Sequence, residues 1–296
     1  MGLRSRTDAP ISTLADLVAP LSEEAFVAHL RGRTPVVLRG AGAGGRYRSL
    51  IDWAGFIDQV MRGEIPAKIL RLTKNAIPMP PVFYRDGDVP KSQVIDRVMA
   101  GGGSIIVHGV EAYLPGFFRL CADVASQMGE RVTAGLIATT GDGGALRLHY
   151  DDADLVILQI EGAKRWIVQD HPVIHPVPGM RKYRVDEDAN PKLDVVLEPG
   201  DLMFLPAGYR HRCENRAERS LHAGIFFLPL TPPGVLELLT REISEDVAHR
   251  RPLRFDQADP AATEAALKDE LVALIRSLSL TELIARHQAS PTSAED

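Results

Sequence analysis

Two hydrophobic periods alternate along the chain. A spacing of three to four residues predicts helices in the first part. Phe26, Val27 and Leu30 follow Ser22, a residue type that caps helices, and Trp53, Phe56, Ile57 and Val60 predict an amphipathic helix over 52–62. Val94, Ile95, Val98 and Met99 predict another, stopped by Gly101-Gly102-Gly103, and Phe117, Leu120, Cys121, Val124 and Met128 mark a further helix face. Short apolar runs predict strands at Pro35–Leu38, Ser104–His108 and Val132–Thr140. Within the second of these, His108 reads as a packed core histidine. Ile77-Pro78-Met79-Pro80-Pro81 must be extended, because proline denies both helix and central strand.

The strand pattern is densest in the middle of the chain. Leu155 to Ile160 is one strand, Glu161-Gly162-Ala163 a turn, and Lys164 to Val168 the returning strand. Val195–Leu197 and Asp201–Leu205 form a hairpin pattern around Pro199-Gly200, and Leu221–Leu228 is the last strand. Beyond Pro229 the period returns to helical. Leu236, Leu239, Ile243 and Val247 form one stripe. Asp259-Pro260 opens a second helix with Leu267, Leu271, Leu274, Ile275 and Leu278 on one face, and a third short helix follows Thr281.

Composition narrows the classes. The chain has 296 residues, 45% hydrophobic and 25% charged, with a formal net charge of −5. Such a balance suits a soluble protein and offers no bulk attraction to nucleic acid. Two cysteines, Cys121 and Cys213, make no disulfide framework and suit a reducing cytoplasm. No segment reads as a signal peptide, and no apolar run is long enough to span a membrane. Residues 1–20 read as a loose arm and Gln288–Asp296 as a polar tail.

The candidate chemistry lies in two stretches, TTGDGGALRLHYDDADLVILQIEGAKRWIV from Thr139 and EPGDLMFLPAGYRHRCEN from Glu198. His149, Asp151 and His211 read as three ligands of one metal. Two imidazoles and one carboxylate, with positions left open opposite them, form the facial triad of non-haem Fe(II) oxygenases. An H-x-D pair suits a strand end, where residues two apart point to the same side. Cys213 is a poor match for such an iron and reads as a packing residue. Lys164, two residues from Trp166 in an apolar strand, reads as inward-pointing. A buried ammonium requires an anionic partner, and a dicarboxylate cosubstrate would supply one. His171-Pro172 and His175-Pro176 are four apart, but the prolines place them in a loop. His222 has two readings, a pocket residue that touches substrate or a packed histidine.

HYDDADLVILQIEGAKRW followed by EPGDLMFLPAGYRH resembles the JmjC/cupin-type 2-oxoglutarate oxygenases, and among them the bacterial cupin group that contains the ribosomal-protein hydroxylases. The resemblance runs from about Pro35 to about Leu230, and includes Thr34–Gly40 and Ser220–Gly224 in the right order. It implies a mainly β fold with flanking helices: a double-stranded β-helix (cupin, jelly-roll) core with a helical C-terminal extension. By resemblance His149, Asp151 and His211 are the iron ligands, and Lys164 pairs with the C5 carboxylate of 2-oxoglutarate. Thr140 matches a hydroxyl that touches the same cosubstrate. In the ribosomal hydroxylases an arginine often fills the Lys164 place, while lysine occurs in related asparaginyl hydroxylases.

The expected organisation is an arm and helix over 1–30, the oxygenase domain over 31–230, and a helical region over 231–296 that packs on the barrel or forms a homodimer interface. The expected function is an Fe(II)- and 2-oxoglutarate-dependent dioxygenase, using O2 to hydroxylate a C–H bond on a protein or peptide side chain. The alternatives are a hydroxylase of a free amino acid or natural-product intermediate, a lysine demethylase, and a metal-binding cupin without 2-oxoglutarate chemistry. The chain is short for the winged-helix domain of the ribosomal hydroxylases, which puts a ribosomal substrate in question.

Overall fold

The structure is a computed structural model that describes residues 11–40, 45–142, 146–180, 190–252 and 259–289. Residues 1–10 of the expected N-terminal arm, most of the polar tail, and Gly143 and Gly144 before the candidate ligands lie outside the described residues. The rest of the arm is not loose: Thr13 caps a short helix, Leu14–Val18, whose Leu14, Leu17 and Val18 are buried in the core. The chain divides into two compact units, one extending to Leu228 and the other spanning Pro229–Ser290.

Among the described residues the first unit contains thirteen strands. They are β1 (Val36–Leu38), β2 (Leu70–Lys74), β3 (Ile77–Pro78), β4 (Arg85–Asp86), β5 (Val89–Pro90), β6 (Gly103–His108), β7 (Arg131–Thr140), β8 (Asp154–Glu161), β9 (Lys164–Val168), β10 (Leu193–Leu197), β11 (Leu202–Leu205), β12 (His211–Asn215) and β13 (Arg219–Leu228). Its helices are α1 (Leu14–Val18), α2 (Glu23–Gly32), α3 (Trp53–Arg62), α4 (Ser92–Ala100) and α5 (Pro115–Met128). Ser22 caps α2 by accepting from the Ala25 N–H, and Asp52 caps α3 by accepting from that of Gly55.

Eight strands form one sheet in the order β1-β11-β8-β13-β7-β6-β2-β3, and three form a smaller sheet, β10-β9-β12. Every strand pair is antiparallel. Alternate residues of the large sheet enter two different cores. Val156, Leu158 and Ile160 of β8 pack with Phe26, Phe56, Phe117 and Leu120 from the helices. Leu155 and Ile157 instead meet Trp166, Val168 and Leu197 of the small sheet. Burial on both faces makes these strands continuously apolar, and the space between the sheets is the interior of the double-stranded β-helix. The fold is thus mainly β with flanking helices, as the sequence motifs implied.

Chain crossing between the sheets occurs at Gly162, whose φ is +66°. A Cβ there would lie 2.0 Å from the Arg219 carbonyl oxygen, so only glycine fits. The turn delivers Lys164 as the first residue of β9. His108, expected in the core, is exposed at the end of β6 with its ring edge-on to Phe226.

The second unit holds α6 (Pro232–Ser244), α7 (Pro260–Ser277) and α8 (Leu280–Ala289). Its small core is Leu238, Leu239 and Leu283, with Leu230, Val235 and Leu278 against it. Of the expected stripe, Leu239 joins this core while other members do not. Leu236 is exposed, and Val247 lies beyond the end of α6, also exposed. Among the described residues no helix is long and apolar enough to cross a membrane.

Candidate metal centre

Backbone pairing assembles the site before any side chain does. His149 and His211 form an isolated antiparallel bridge. The His149 N–H donates to the His211 carbonyl at 3.1 Å, and the His211 N–H returns the bond at 2.7 Å. The loop ahead of His211 is tied to the other stretch as well: the Gly208 N–H donates to the Asp151 carbonyl at 2.8 Å, and the Ala207 N–H to the Asp154 carboxylate at 2.7 Å. Gly208 has a φ of +88°, and a Cβ on it would lie 1.9 Å from the Val173 carbonyl oxygen. The Pro206-Ala207-Gly208 bend is therefore specific to glycine at its third position.

The side chains of His149, Asp151 and His211 converge, with one ligand atom of each lying within 4.8 Å of the others. Nε2 of His149 lies 3.8 Å from one Asp151 oxygen, and Nε2 of His211 lies 3.6 Å from the other. The opposite ring nitrogens are committed. Nδ1 of His149 meets the Arg147 carbonyl at 2.8 Å, and Nδ1 of His211 meets that of Tyr209 at 3.0 Å. A carbonyl only accepts, so each Nδ1 carries the hydrogen and each Nε2 keeps a lone pair directed at the cluster. Burial, and then the neighbouring His149, push the His211 pKa down to about 4, with Asp151 opposing. The neutral imidazole is thus the resident form, as a metal ligand requires. Two neutral nitrogens and a carboxylate fit a divalent first-row metal. No other metal-binding cluster occurs among the described residues, and His171 and His175 lie in a loop.

Further inside, Lys164 is fully buried. Its Nζ donates to Thr139 Oγ1 at 2.9 Å and meets His222 Nδ1 at 3.2 Å. Both partners are uncharged, and no carboxylate pairs with the ammonium among the described residues. Burial pushes the Lys164 pKa down, opposed only by the Cys213 thiol. Trp166 lines the same face of β9, its ring 5.8 Å from that of His211 and 5.4 Å from that of His222. The expected hydroxyl partner, Thr140, is displaced by its neighbour. Thr140 Oγ1 points the other way and donates to the Met99 carbonyl, with the Gly103 carbonyl at 3.3 Å. Adjacent strand residues face opposite sides, so only one of the two threonines can reach Lys164. Thr139 and the Lys164–His222 contact had no signal in the sequence: β7 is buried on both faces, and His222 is 58 residues from Lys164.

Comparison with known proteins points the same way as fold and site. Residues 111–231 match the JmjC domain family. Ribosomal oxygenase 2 of Rattus norvegicus is 24% identical over 213 residues, covering 70% of this chain and 45% of that protein. The bifunctional lysine-specific demethylase and histidyl-hydroxylase NO66 of Drosophila persimilis is 26% identical over 219 residues, covering 71% of this chain and 31% of that protein. The chain thus spans less than half the length of these curated relatives. The solved structure of YcfD, a ribosomal oxygenase from Escherichia coli in complex with cobalt and 2-oxoglutarate, shares the fold. It superposes with a TM-score of 0.61 at 18% identity, over 90% of this chain and 71% of that one. The chain is thus similar to JmjC-domain proteins over residues 111–231 and shares the fold of a ribosomal oxygenase.

Proposed function

We propose that the protein is an Fe(II)- and 2-oxoglutarate-dependent oxygenase that hydroxylates a side chain of a protein or peptide. One observation carries this reading: a His149/Asp151/His211 cluster shares a barrel interior with a buried ammonium, Lys164, that has only neutral partners. Nε2 of both histidines and the Asp151 carboxylate would hold the metal. Fe(II) there supplies activation of O2, coupled to conversion of 2-oxoglutarate to succinate and CO2 and to insertion of one oxygen atom into a substrate C–H bond. The chain's own residues bind and orient. Lys164 and Thr139 take the far carboxylate of the cosubstrate, and the Arg147 and Tyr209 carbonyls fix the histidine tautomers. The apolar walls from Leu155, Ile157, Trp166 and Val168 keep bulk water out.

The relatives named as ribosomal oxygenases and as a histidyl-hydroxylase favour a protein side chain over a free amino acid. Two unpaired cysteines favour a reducing cytoplasm. The helical unit favours a homodimer: α7 buries none of its residues, and Leu271, Val272 and Ile275 are each more than 40% exposed. Light scattering should then give twice the chain mass. The activity is tested by incubating Fe(II)-loaded protein with 2-oxoglutarate, O2 and ribosomal-protein peptides. Succinate release and a mass gain of one oxygen on a peptide are expected. Metal binding without 2-oxoglutarate binding or turnover would assign the chain to the metal-binding cupins instead.

A further inference from the structure

His222 is fully enclosed on β13, beside a bulge between Leu221 and His222. An ammonium has three hydrogens and no lone pair, so in the 3.2 Å contact with Lys164 the Nδ1 of His222 must accept. Burial, followed by the Lys164 charge, holds the His222 pKa well below its ordinary value, so the ring is neutral and its one hydrogen sits on Nε2. The contact with Lys164 is the only side-chain hydrogen bond of His222 among the described residues. The ring is held edge-on against Trp166, at an interplanar angle of 84°. Trp166 lies beside it, and its Nε1 is buried with no acceptor among the described residues. Its ring also borders His211 of the triad. His222 and Trp166 thus each carry a ring N–H without a protein acceptor among the described residues, and that of Trp166 is fully buried. A buried donor left unpaired is costly, and an occupant rich in oxygen would satisfy both.

We propose that His222 couples the lysine to the cosubstrate: its Nδ1 holds the Lys164 ammonium in place, which forces its Nε2–H, together with the Trp166 Nε1–H, to donate to oxygens of a dicarboxylate bound between Lys164 and the triad. The inference rests on the oxygenase reading and adds two residues to its cosubstrate site. His222 is a positioning residue toward Lys164 and a contact toward the ligand. A purely structural histidine would affect folding and leave the ligand's affinity alone.

The test is calorimetric titration of 2-oxoglutarate into Mn(II)-loaded full-length protein, with Mn(II) titrated separately into each variant. His222→Leu and Trp166→Phe should each weaken 2-oxoglutarate binding by about tenfold or more, the worth of a hydrogen bond to a charged acceptor. Mn(II) affinity should stay close to that of the wild type. His222→Gln, which keeps an acceptor and a donor, should recover part of the loss. Trp166→Phe keeps an aromatic ring while removing the donor and part of the ring volume, so its Mn(II) affinity serves as the control for packing, and it decides the matter even where His222→Leu does not fold. Wild-type affinity in Trp166→Phe and His222→Leu, alongside weakened binding in Lys164→Ala, would overturn this inference alone. No 2-oxoglutarate binding by the wild type would overturn the oxygenase reading and this inference with it.

Discussion

His149 and His211 exchange both hydrogen bonds of an antiparallel backbone pair, and their imidazole centroids lie 4.4 Å apart. Two segments separated by some 60 residues of sequence are thereby clamped at the point where their side chains must meet. The geometry of the triad is thus a property of the sheet, set before any metal arrives, and this limits the cost of organising the site on binding.

Removal of the carboxylate should uncouple metal binding from folding. Asp151 is partly exposed, so Asp151→Ala leaves no large cavity and removes the only charge in the triad. In the wild type, a metal at a hundred times its dissociation constant should stabilise the fold by about 2.7 kcal/mol. For a protein of this size that is a rise in Tm of several degrees, about 2–4 °C per kcal/mol. The variant should show little or no rise on addition of Mn(II) or Co(II). An equal rise in both proteins would mean that the metal sits elsewhere.

The histidines predict an acid limit for the metal-free protein. The pKa of His211 is lowered to about 4 in the fold, and that of His222 is lowered in the same direction, both chiefly by burial. The unfolded chain binds protons on these rings below about pH 6.5, where the folded chain does not. Stability should therefore rise with pH across the window from about 4 to 6.5, and be lost on acidification through it. His211 alone should contribute a loss of about 2 kcal/mol between pH 7.5 and pH 5. Denaturant melts of chelator-treated protein at these two pH values measure the difference. A flat profile would show that His211 is protonated in the fold or already exposed.

What the sequence made legible was whatever its local period carries. H-x-D at a strand end and a histidine after Pro206-Ala207-Gly208 are short-range patterns, and the Glu161-Gly162-Ala163 turn lies where a strand hands over to its partner. Facing is another matter. A half-buried strand shows its inward side by alternation, but β7 is buried on both faces, so Thr139 and Thr140 look alike in sequence. The error at His108 has the same root, since an apolar run does not say where a strand leaves the core. The pairing of Lys164 with His222 is a register between distant strands, and no single segment encodes it.

The two threonines can be separated by experiment. Thr139→Val removes the hydroxyl that meets Lys164 at 2.9 Å, so 2-oxoglutarate affinity should fall by about three- to tenfold, a net hydrogen bond's worth. Thr140→Val removes a bond to the Met99 carbonyl on the other face. It should lower stability by about 1 kcal/mol and leave cosubstrate affinity near that of the wild type. Isothermal titration and denaturant melts on both variants read the two quantities. The reverse pattern would restore Thr140 to the cosubstrate site.

Lys164 should show opposite effects on stability and binding. Its ammonium is buried between a hydroxyl and a neutral imidazole, without a counter-charge. In the empty protein such a group is a burden, because desolvation outweighs what neutral partners return. Lys164→Met keeps most of the volume and removes the charge. The ligand-free variant should therefore be more stable than the wild type, by on the order of 1–3 kcal/mol. The same change removes the partner of the cosubstrate carboxylate, so 2-oxoglutarate affinity should fall by about ten- to a hundredfold. Metal affinity should persist, because no ligand atom is touched. Lys164→Arg should keep part of the affinity, since a guanidinium also pairs with a carboxylate, although its planar fork fits a site shaped for an ammonium less well. Melts without ligand and titrations on the Mn(II)-loaded forms decide the matter. A Lys164→Met protein that is less stable and binds 2-oxoglutarate normally would show that the lysine is a structural element of the barrel and that the cosubstrate carboxylate is held elsewhere.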